Sequence, residues 1–239
     1  MRRIVVLMLC FLAGAAGAQG FQDVLDDPQR PSSDREEDDR RKPAEVMAFA
    51  GISPGDVVLE IGAGRGYTTE LASRMVGEDG VVYAHGLDPD RVIGNRLPNV
   101  VVLPAEPRDP AARFAAAGIA PDSVDCVLAF FSLHDGYLND QNDMQLWYRT
   151  LLYVLEPGGE FIVLDNAAPE GSGLDYTGEV HRIAEDFLLD EILEAGFEFV
   201  GASDVLRNPD DDLTSIWFED TDQRAAGYQD RFAFKFRKP

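Results

Sequence analysis

Sulfur and positive charge are both scarce in this chain. Two cysteines, three histidines and 21 Lys+Arg stand against 43 Asp+Glu in 239 residues, for a net charge of -22. A surface this acidic repels phosphate backbones and anionic lipid heads, so nucleic acid is not the expected partner. The bland consequence of the charge is solubility. Of the two cysteines, Cys10 lies in the first twenty residues and Cys126 in VDCVLAFF, Val124 to Phe131. A chain cleaved between them cannot close an intramolecular disulfide. The apolar setting predicts that Cys126 is a small buried hydrophobe rather than a nucleophile. No His/Cys cluster has zinc spacing, so no metal site is expected, and no G-x-S-x-G or P-loop is present.

What the chain does have begins with a basic start, Arg2 and Arg3, and an apolar run. That run is about a dozen residues long, short of the roughly 20 a membrane span needs. Ala16, Gly17 and Ala18 follow. Residues 1–18 therefore read as a signal peptide, with Gln19 the new N-terminus and a periplasmic or secreted product that keeps no stable membrane anchor. Residues 19–42 are polar and dense in charge, most of all in DDPQRPSSDREEDDRRK from Asp26. They carry too little apolar surface to fold alone and read as a flexible arm leading into one domain over 43–239.

From Pro43 helices and short apolar strands alternate. Helices are expected at Pro43–Ala50, Tyr67–Val76, Asp109–Ala117, Asp140–Leu155 and Ala184–Ala195. Strands are expected at Val57–Ile61, Val81–Ala84, Val100–Leu103, Val124–Phe131 and Phe161–Leu164, then Phe197–Gly201 and Arg231–Phe236. Apolar strands between helices mean a doubly wound α/β, Rossmann-like, mostly parallel sheet covered on both faces. The last strand, RFAFKFR, alternates apolar and polar residues and reads as antiparallel. Ligands of such sheets bind at the carboxyl ends of the strands, where strand order reverses.

The first strand runs into Gly62, Gly64 and Gly66 in EIGAGRGY. Tyr67 stands where the dinucleotide fingerprint G-x-G-x-x-G has its last glycine, and would crowd a pyrophosphate. Glu60 ends the strand two residues before the first glycine. Its carboxylate would repel a pyrophosphate and suit an ammonium group. A cofactor with a cationic amino-acid tail and a neutral nucleoside fits both features, and S-adenosylmethionine is one. EIGAGRG (Glu60 to Gly66), LEPGG (Leu155 to Gly159) and EAGF (Glu194 to Phe197), in this order, resemble the class I S-adenosylmethionine-dependent methyltransferases. RKPAEV from Arg41, His134 with Asp135, GSG from Gly171, HRI from His181, DVLRNPDD from Asp204 and the closing FKFRKP further resemble a bacterial family of predicted methyltransferases with secretion signals.

The resemblance implies that Glu60, Gly62, Ala63, Gly64 and Gly66, with Tyr67, wrap the methionine part of the cofactor. It implies an acid after strand two for the ribose hydroxyls. That place falls near His85 and Gly86, with Asp88 displaced beyond them. It implies that Glu106 receives the adenine amino group and that Phe131 and Ser132 line the methyl-transfer site. Candidate chemical groups lie past strands four and five. His134 is a base or a loop-ordering residue. Asp135 orients His134, binds a substrate cation or caps the loop. Tyr137 is an acid or a pocket wall. Asp165, with Asn166, contacts substrate or caps a turn. His181 covers the site or is structural. Three functions remain open: methyl transfer to a small-molecule or protein acceptor, a non-catalytic binding protein on the same fold, and a nicotinamide oxidoreductase, which Glu60 disfavours.

Overall fold

A computed structural model describes residues 21–106, 108–139, 142–216 and 229–239. The expected signal peptide falls in residues 1–20, outside the described residues. Among the described residues no helix is long and apolar enough to cross a membrane.

The strands are β1 Val57–Gly64, β2 Val81–Leu87, β3 Val100–Val102, β4 Val124–Phe130, β5 Leu155–Ala168, β6 Ile183–Ala184, β7 Glu198–Ser203 and β8 Arg231–Arg237. Their order across the sheet is β3-β2-β1-β4-β5-β8-β7, with β6 paired to the end of β5. The β1–β2, β1–β4, β2–β3 and β4–β5 pairs are parallel, whereas β8 runs antiparallel to both neighbours. The chain leaves β1 toward β2 on one side and later returns to β4 on the other. The carboxyl ends of β1 and β4 therefore form the switch point where a crevice opens.

Alternation along each strand sends side chains to two cores. Leu59, Val127, Phe161 and Val163 pack with Tyr148 and Leu151 of α7 (Met144–Val154) and Leu188 and Ile192 of α9 (Glu185–Glu194). Val58, Leu128, Ile162 and Leu164 pack on the other face with Val46 and Met47 of α3 (Pro43–Ala50) and Leu71 and Val76 of α4 (Tyr67–Val76). Cys126 lies in this second core, and burial pushes its thiol pKa up.

Four sequence expectations need correction. Strand β5, expected at Phe161–Leu164, runs from Leu155 to Ala168, so LEPGG and both Asp165 and Asn166 lie within it. Strand β2 continues through His85 and Gly86 to Leu87, because the β1–β2 ladder persists to Gly64↔Leu87. Helix α7 starts at Met144, where the Asp143 carboxylate accepts from the Leu146 N–H at 2.9 Å, an N-cap that fixes the start. Lastly, residues 21–42 are packed on the domain rather than flexible. They include α1 (Ser32–Arg35) and α2 (Asp38–Arg41). Arg30 is buried and pairs with Asp38 at 2.8 Å; Asp27 pairs with Arg74 and Asp34 with Arg91. The arm also packs Phe21, Val24 and Leu25 against the second core, and its Asp27 and Asp34 meet arginines presented by the domain. The remaining helices are α5 (Pro110–Ala116), α6 (Leu133–Gly136) and α8 (Thr177–Val180).

Candidate active site

Two cavities meet at Gly62, above the carboxyl ends of β1 and β4. The first, about 230 Å³, is lined by Glu60, Gly62, Ala63, Gly66 and Tyr67, by Phe131 and Asn166, and by Arg40, Arg41 and Arg231. The second, about 190 Å³, is lined by Ile61, Gly62, His85, Ser132, Asp135, Trp147 and Tyr148, among others.

Gly62 adopts φ 72°, and a Cβ there would lie 2.2 Å from the Ser132 Cβ. Ser132 cannot readily withdraw, since its hydroxyl donates to the Ile61 carbonyl at 2.9 Å. Gly62→Ala therefore incurs left-handed backbone strain of about 1–3 kcal/mol plus a clash at the waist between the cavities. A lower melting temperature and loss of ligand binding are expected in calorimetry. An alanine variant that melts and binds like the parent would show that the waist is soft. Gly64 and Gly66 also have positive φ, and Gly66 is the N-cap residue before α4.

The first cavity carries both signs of charge. Glu60 is 3% exposed and accepts a hydrogen bond from the Thr69 hydroxyl. Burial raises its pKa to about 7, against the opposing effects of that hydrogen bond and of Arg91. Arg231 is 3% exposed; one Nη donates to the Arg40 carbonyl at 3.1 Å. Its Nε and other Nη have no partner among the described residues. Burial, then Arg40 and Arg41, lower its pKa to about 10. A buried guanidinium with two unused donors at a cavity wall is poised for an anion. Tyr67 is held by its hydroxyl, which donates to Asp38 at 2.6 Å, and by Arg41 over its ring. The arm thus forms part of the cavity wall.

The second cavity is aromatic and mostly apolar. His85 lies 5.1 Å from the Trp147 ring and contacts Arg113. Burial and then Arg113 lower the His85 pKa to about 4, so it is neutral at pH 7. Between the cavities, a Cβ on Gly86 would be 3.8 Å from Gly62. Asp88 is the first residue past β2, and its N–H donates to the Gly64 carbonyl at 2.8 Å. Its displacement in the sequence reading came from ending β2 at Ala84. Glu106, by contrast, points outward, 72% exposed and 3.5 Å from Arg108, and lines neither cavity.

The proposed chemical residues separate into two groups. His134 and Asp165 are buried together, His134 Nδ1 lying 2.6 Å from Asp165, which also accepts the His134 N–H at 3.1 Å. Burial alone would lower the His134 pKa. The Asp165 charge and hydrogen bonds to Asp135 and Asp165 outweigh it and raise the value to about 10. Asp135 reaches His134 at 3.2 Å and His181 at 3.0 Å. Tyr137 lies apart: its hydroxyl is 3.0 Å from that of Tyr148 and donates to Glu191 at 3.4 Å, while its ring packs on Phe187. Tyr137 lines neither cavity and packs against the first core instead.

Comparison with known proteins agrees with this fold. The family model for protein-L-isoaspartate(D-aspartate) O-methyltransferase matches residues 28–88, from the arm through β2. An arsenite methyltransferase of Halobacterium salinarum is 28% identical over 206 residues, covering 80% of this chain and 49% of that protein. The ubiquinone/menaquinone biosynthesis C-methyltransferase UbiE of Teredinibacter turnerae is 29% identical over 145 residues, 57% of this chain and 53% of that one. The chain spans about half the length of these curated relatives. The solved structure of a SAM-dependent methyltransferase from Aquifex aeolicus superposes with a TM-score of 0.59 at 21% identity, covering 93% of this chain and 98% of the other. The chain has the class I S-adenosylmethionine-dependent methyltransferase fold. S-adenosylmethionine is the cofactor of that family.

The sequence reading missed Arg40, Arg41, Arg231 and Trp147 as cavity residues. Arg231 carried a usable signal. An antiparallel strand beside β5 brings its first residue to the ligand end of the sheet, and Arg231 indeed pairs with Asn166.

Proposed function

We propose that the chain transfers the methyl group of S-adenosylmethionine to a small-molecule or protein acceptor. One observation carries the proposal: a cavity with the Glu60 carboxylate and the Arg231 guanidinium opens, across Gly62, onto an aromatic cavity. The first complements the ammonium and carboxylate of the cofactor's amino-acid end. The second accepts the adenine against Trp147. Gly62 lines both cavities, so the ribose would pass beside it, toward the end of β2 where Gly86 approaches Gly62. A pyrophosphate would face Glu60, which counts against a nicotinamide dinucleotide.

Methyl transfer needs the acceptor's lone pair in line with the bond from sulfur to methyl. The carbon–sulfur bond breaks as the new bond forms, and S-adenosylhomocysteine leaves. The chain's own contribution is alignment at the carboxyl ends of β4 and β5, where Phe131, Ser132 and Asp135 wall the site. Phe131 is fixed there with φ 58° and its N–H donating to the Leu164 carbonyl at 2.7 Å. Arsenite is not the acceptor class proposed on the described residues. A soft thiophilic acceptor calls for thiolates, and Cys126 lies buried among apolar side chains.

Calorimetric titration with S-adenosylmethionine, S-adenosylhomocysteine and NAD tests the reading. Binding of the first two, and not the third, is expected. Failure of both to bind would sink it. Export is proposed from residues 1–18. N-terminal sequencing of protein from the secreted and periplasmic fractions is expected to begin at Gln19, and a chain still beginning at Met1 in the cytoplasm would refute it.

A further inference from the structure

His134, Asp135 and His181 present three donor atoms to one point. His134 Nε2 is 3.2 Å from Asp135 Oδ1, His181 Nδ1 is 3.0 Å from the same oxygen, and the two imidazole nitrogens are 3.3 Å apart. Tetrahedral ligands at about 2.0–2.1 Å from a zinc ion stand about 3.3–3.4 Å from one another. The three separations come close to the edges of such a tetrahedron. From this geometry we infer that His134, Asp135 and His181 form a site for a divalent transition metal of the zinc type.

Two further features support the assignment. The other ring nitrogen of His134 is engaged at 2.6 Å by Asp165, whose side chain is fully buried. A carboxylate behind a histidine in this way fixes the ring and directs its free nitrogen at a metal. His181 is held with φ 55°, in the left-handed region, and its carbonyl accepts from the Asn166 side chain at 3.1 Å. β-carbon-bearing residues adopt that conformation only where their surroundings impose it. Two imidazoles with one carboxylate favour zinc, cobalt or nickel over magnesium and calcium, which prefer all-oxygen shells.

A proton can join any two of these groups at a time. A cation at the centre satisfies all three. Its fourth position faces outward, since Asp135 is 54% and His181 35% exposed. Asp135 also lines the aromatic cavity. The metal therefore stands beside the methyl donor, with its open position suited to an acceptor's oxygen, nitrogen or thiolate; this last step alone rests on the methyl-transfer reading.

The test uses the intact chain, stripped with a chelator and free of S-adenosylmethionine. Zinc is titrated in competition with a chromophoric chelator, and cobalt is followed by its visible spectrum. One equivalent of zinc is expected, with a four-coordinate cobalt spectrum and no competition from magnesium. His181→Asn and Asp135→Asn should each weaken zinc by tenfold or more while leaving the thermal melt of the metal-free protein in place. Asp165→Asn should weaken it by about 10–100-fold. No stoichiometric zinc, or undiminished zinc binding in a folded His181→Asn variant, would overturn the metal site in favour of a proton-linked cluster. Calorimetry with S-adenosylmethionine on the same samples reports separately on the methyl-donor site.

Discussion

Glu60→Gln is expected to weaken S-adenosylmethionine binding by about a hundredfold while making the ligand-free protein more stable at pH 8. The binding loss follows from removing one partner of a buried, hydrogen-bonded charge pair, which costs about 2–5 kcal/mol. The stability gain follows from burial. In the folded chain Glu60 titrates near 7, against an ordinary value of 4.5. Between those values the folded state holds more protons than the unfolded state. The contribution to stability is therefore complete below about pH 4.5 and is lost as pH rises through 7. At about 1.4 kcal/mol per pKa unit, the loss amounts to a few kcal/mol. Glutamine stays neutral and escapes it. The parent and the variant should melt together at pH 4.5 and diverge by pH 8, with the variant higher. Affinity of the parent should also fall toward tenfold per pH unit below 7, because binding an ammonium requires the ionised carboxylate. Paired calorimetry and thermal melts across pH 5–8 check all of this. A variant that binds as well as the parent would remove Glu60 from the site.

The opposed effects of that substitution explain why the glycine turn was so legible. A carboxylate in an otherwise apolar strand is a cost to the fold, and such a cost in a sequence points to a ligand. The central strands were legible for a related reason. Val58 and Leu59, or Val127 and Leu128, are buried on opposite faces of the sheet, and their apolar runs report that directly. The ends of strands were harder. In β2 the polar His85 and the glycine after it look like a strand terminus, yet the ladder with β1 continues to Leu87. That shift of three residues is what made Asp88 look displaced.

Other parts of the site depend on partners that no local pattern names. The charges of Asp26 to Lys42 look alike whether they face water or Arg74 and Arg91, and only the fold brings those arginines beneath them. Arg40 and Arg41 became cavity residues by the same route. The histidine cluster joins residues 134 and 135 to residue 181 through the carboxyl end of β5, a separation that motif spacing does not cover. Asp165 and Asn166 link the two parts, one holding His134 and the other the His181 carbonyl. Adjacent residues at one strand end thus act on both cavity-side loops.

Glu70→Ala is expected to lower the melting temperature by on the order of 10 °C and to release the arm. The Glu70 side chain is fully buried and gathers three arginines: Arg74 donates at 2.8 Å, Arg96 at 2.7 Å, and Arg91 lies 3.3 Å away. Arg74 also pairs with Asp27 and Arg91 with Asp34, so the hub joins α4, the segment after β2 and the arm. Alanine leaves three crowded guanidiniums, for which about 3–5 kcal/mol is the ordinary cost. In a domain of this size each kcal/mol moves the melt by about 2–4 °C. The remaining Asp27 and Asp34 partners place the loss toward the lower end. Burial alone would raise the Glu70 pKa, but its bonds to Arg96 and Arg74 and their charges outweigh this and lower it. Its contribution is therefore present above the unfolded value of 4.5 and is lost as pH falls through the folded value. The gap between parent and Glu70→Gln should accordingly be full at pH 7 and narrow in acid. Limited proteolysis supplies the structural readout, with earlier cleavage expected within residues 21–42 of the alanine variant. Because Arg40 and Arg41 wall the first cavity, the released arm should also weaken S-adenosylmethionine, although Glu70 touches neither cavity. A melt within about 2 °C of the parent, with an arm still protected, would show that the arm's other contacts hold the segment without Glu70.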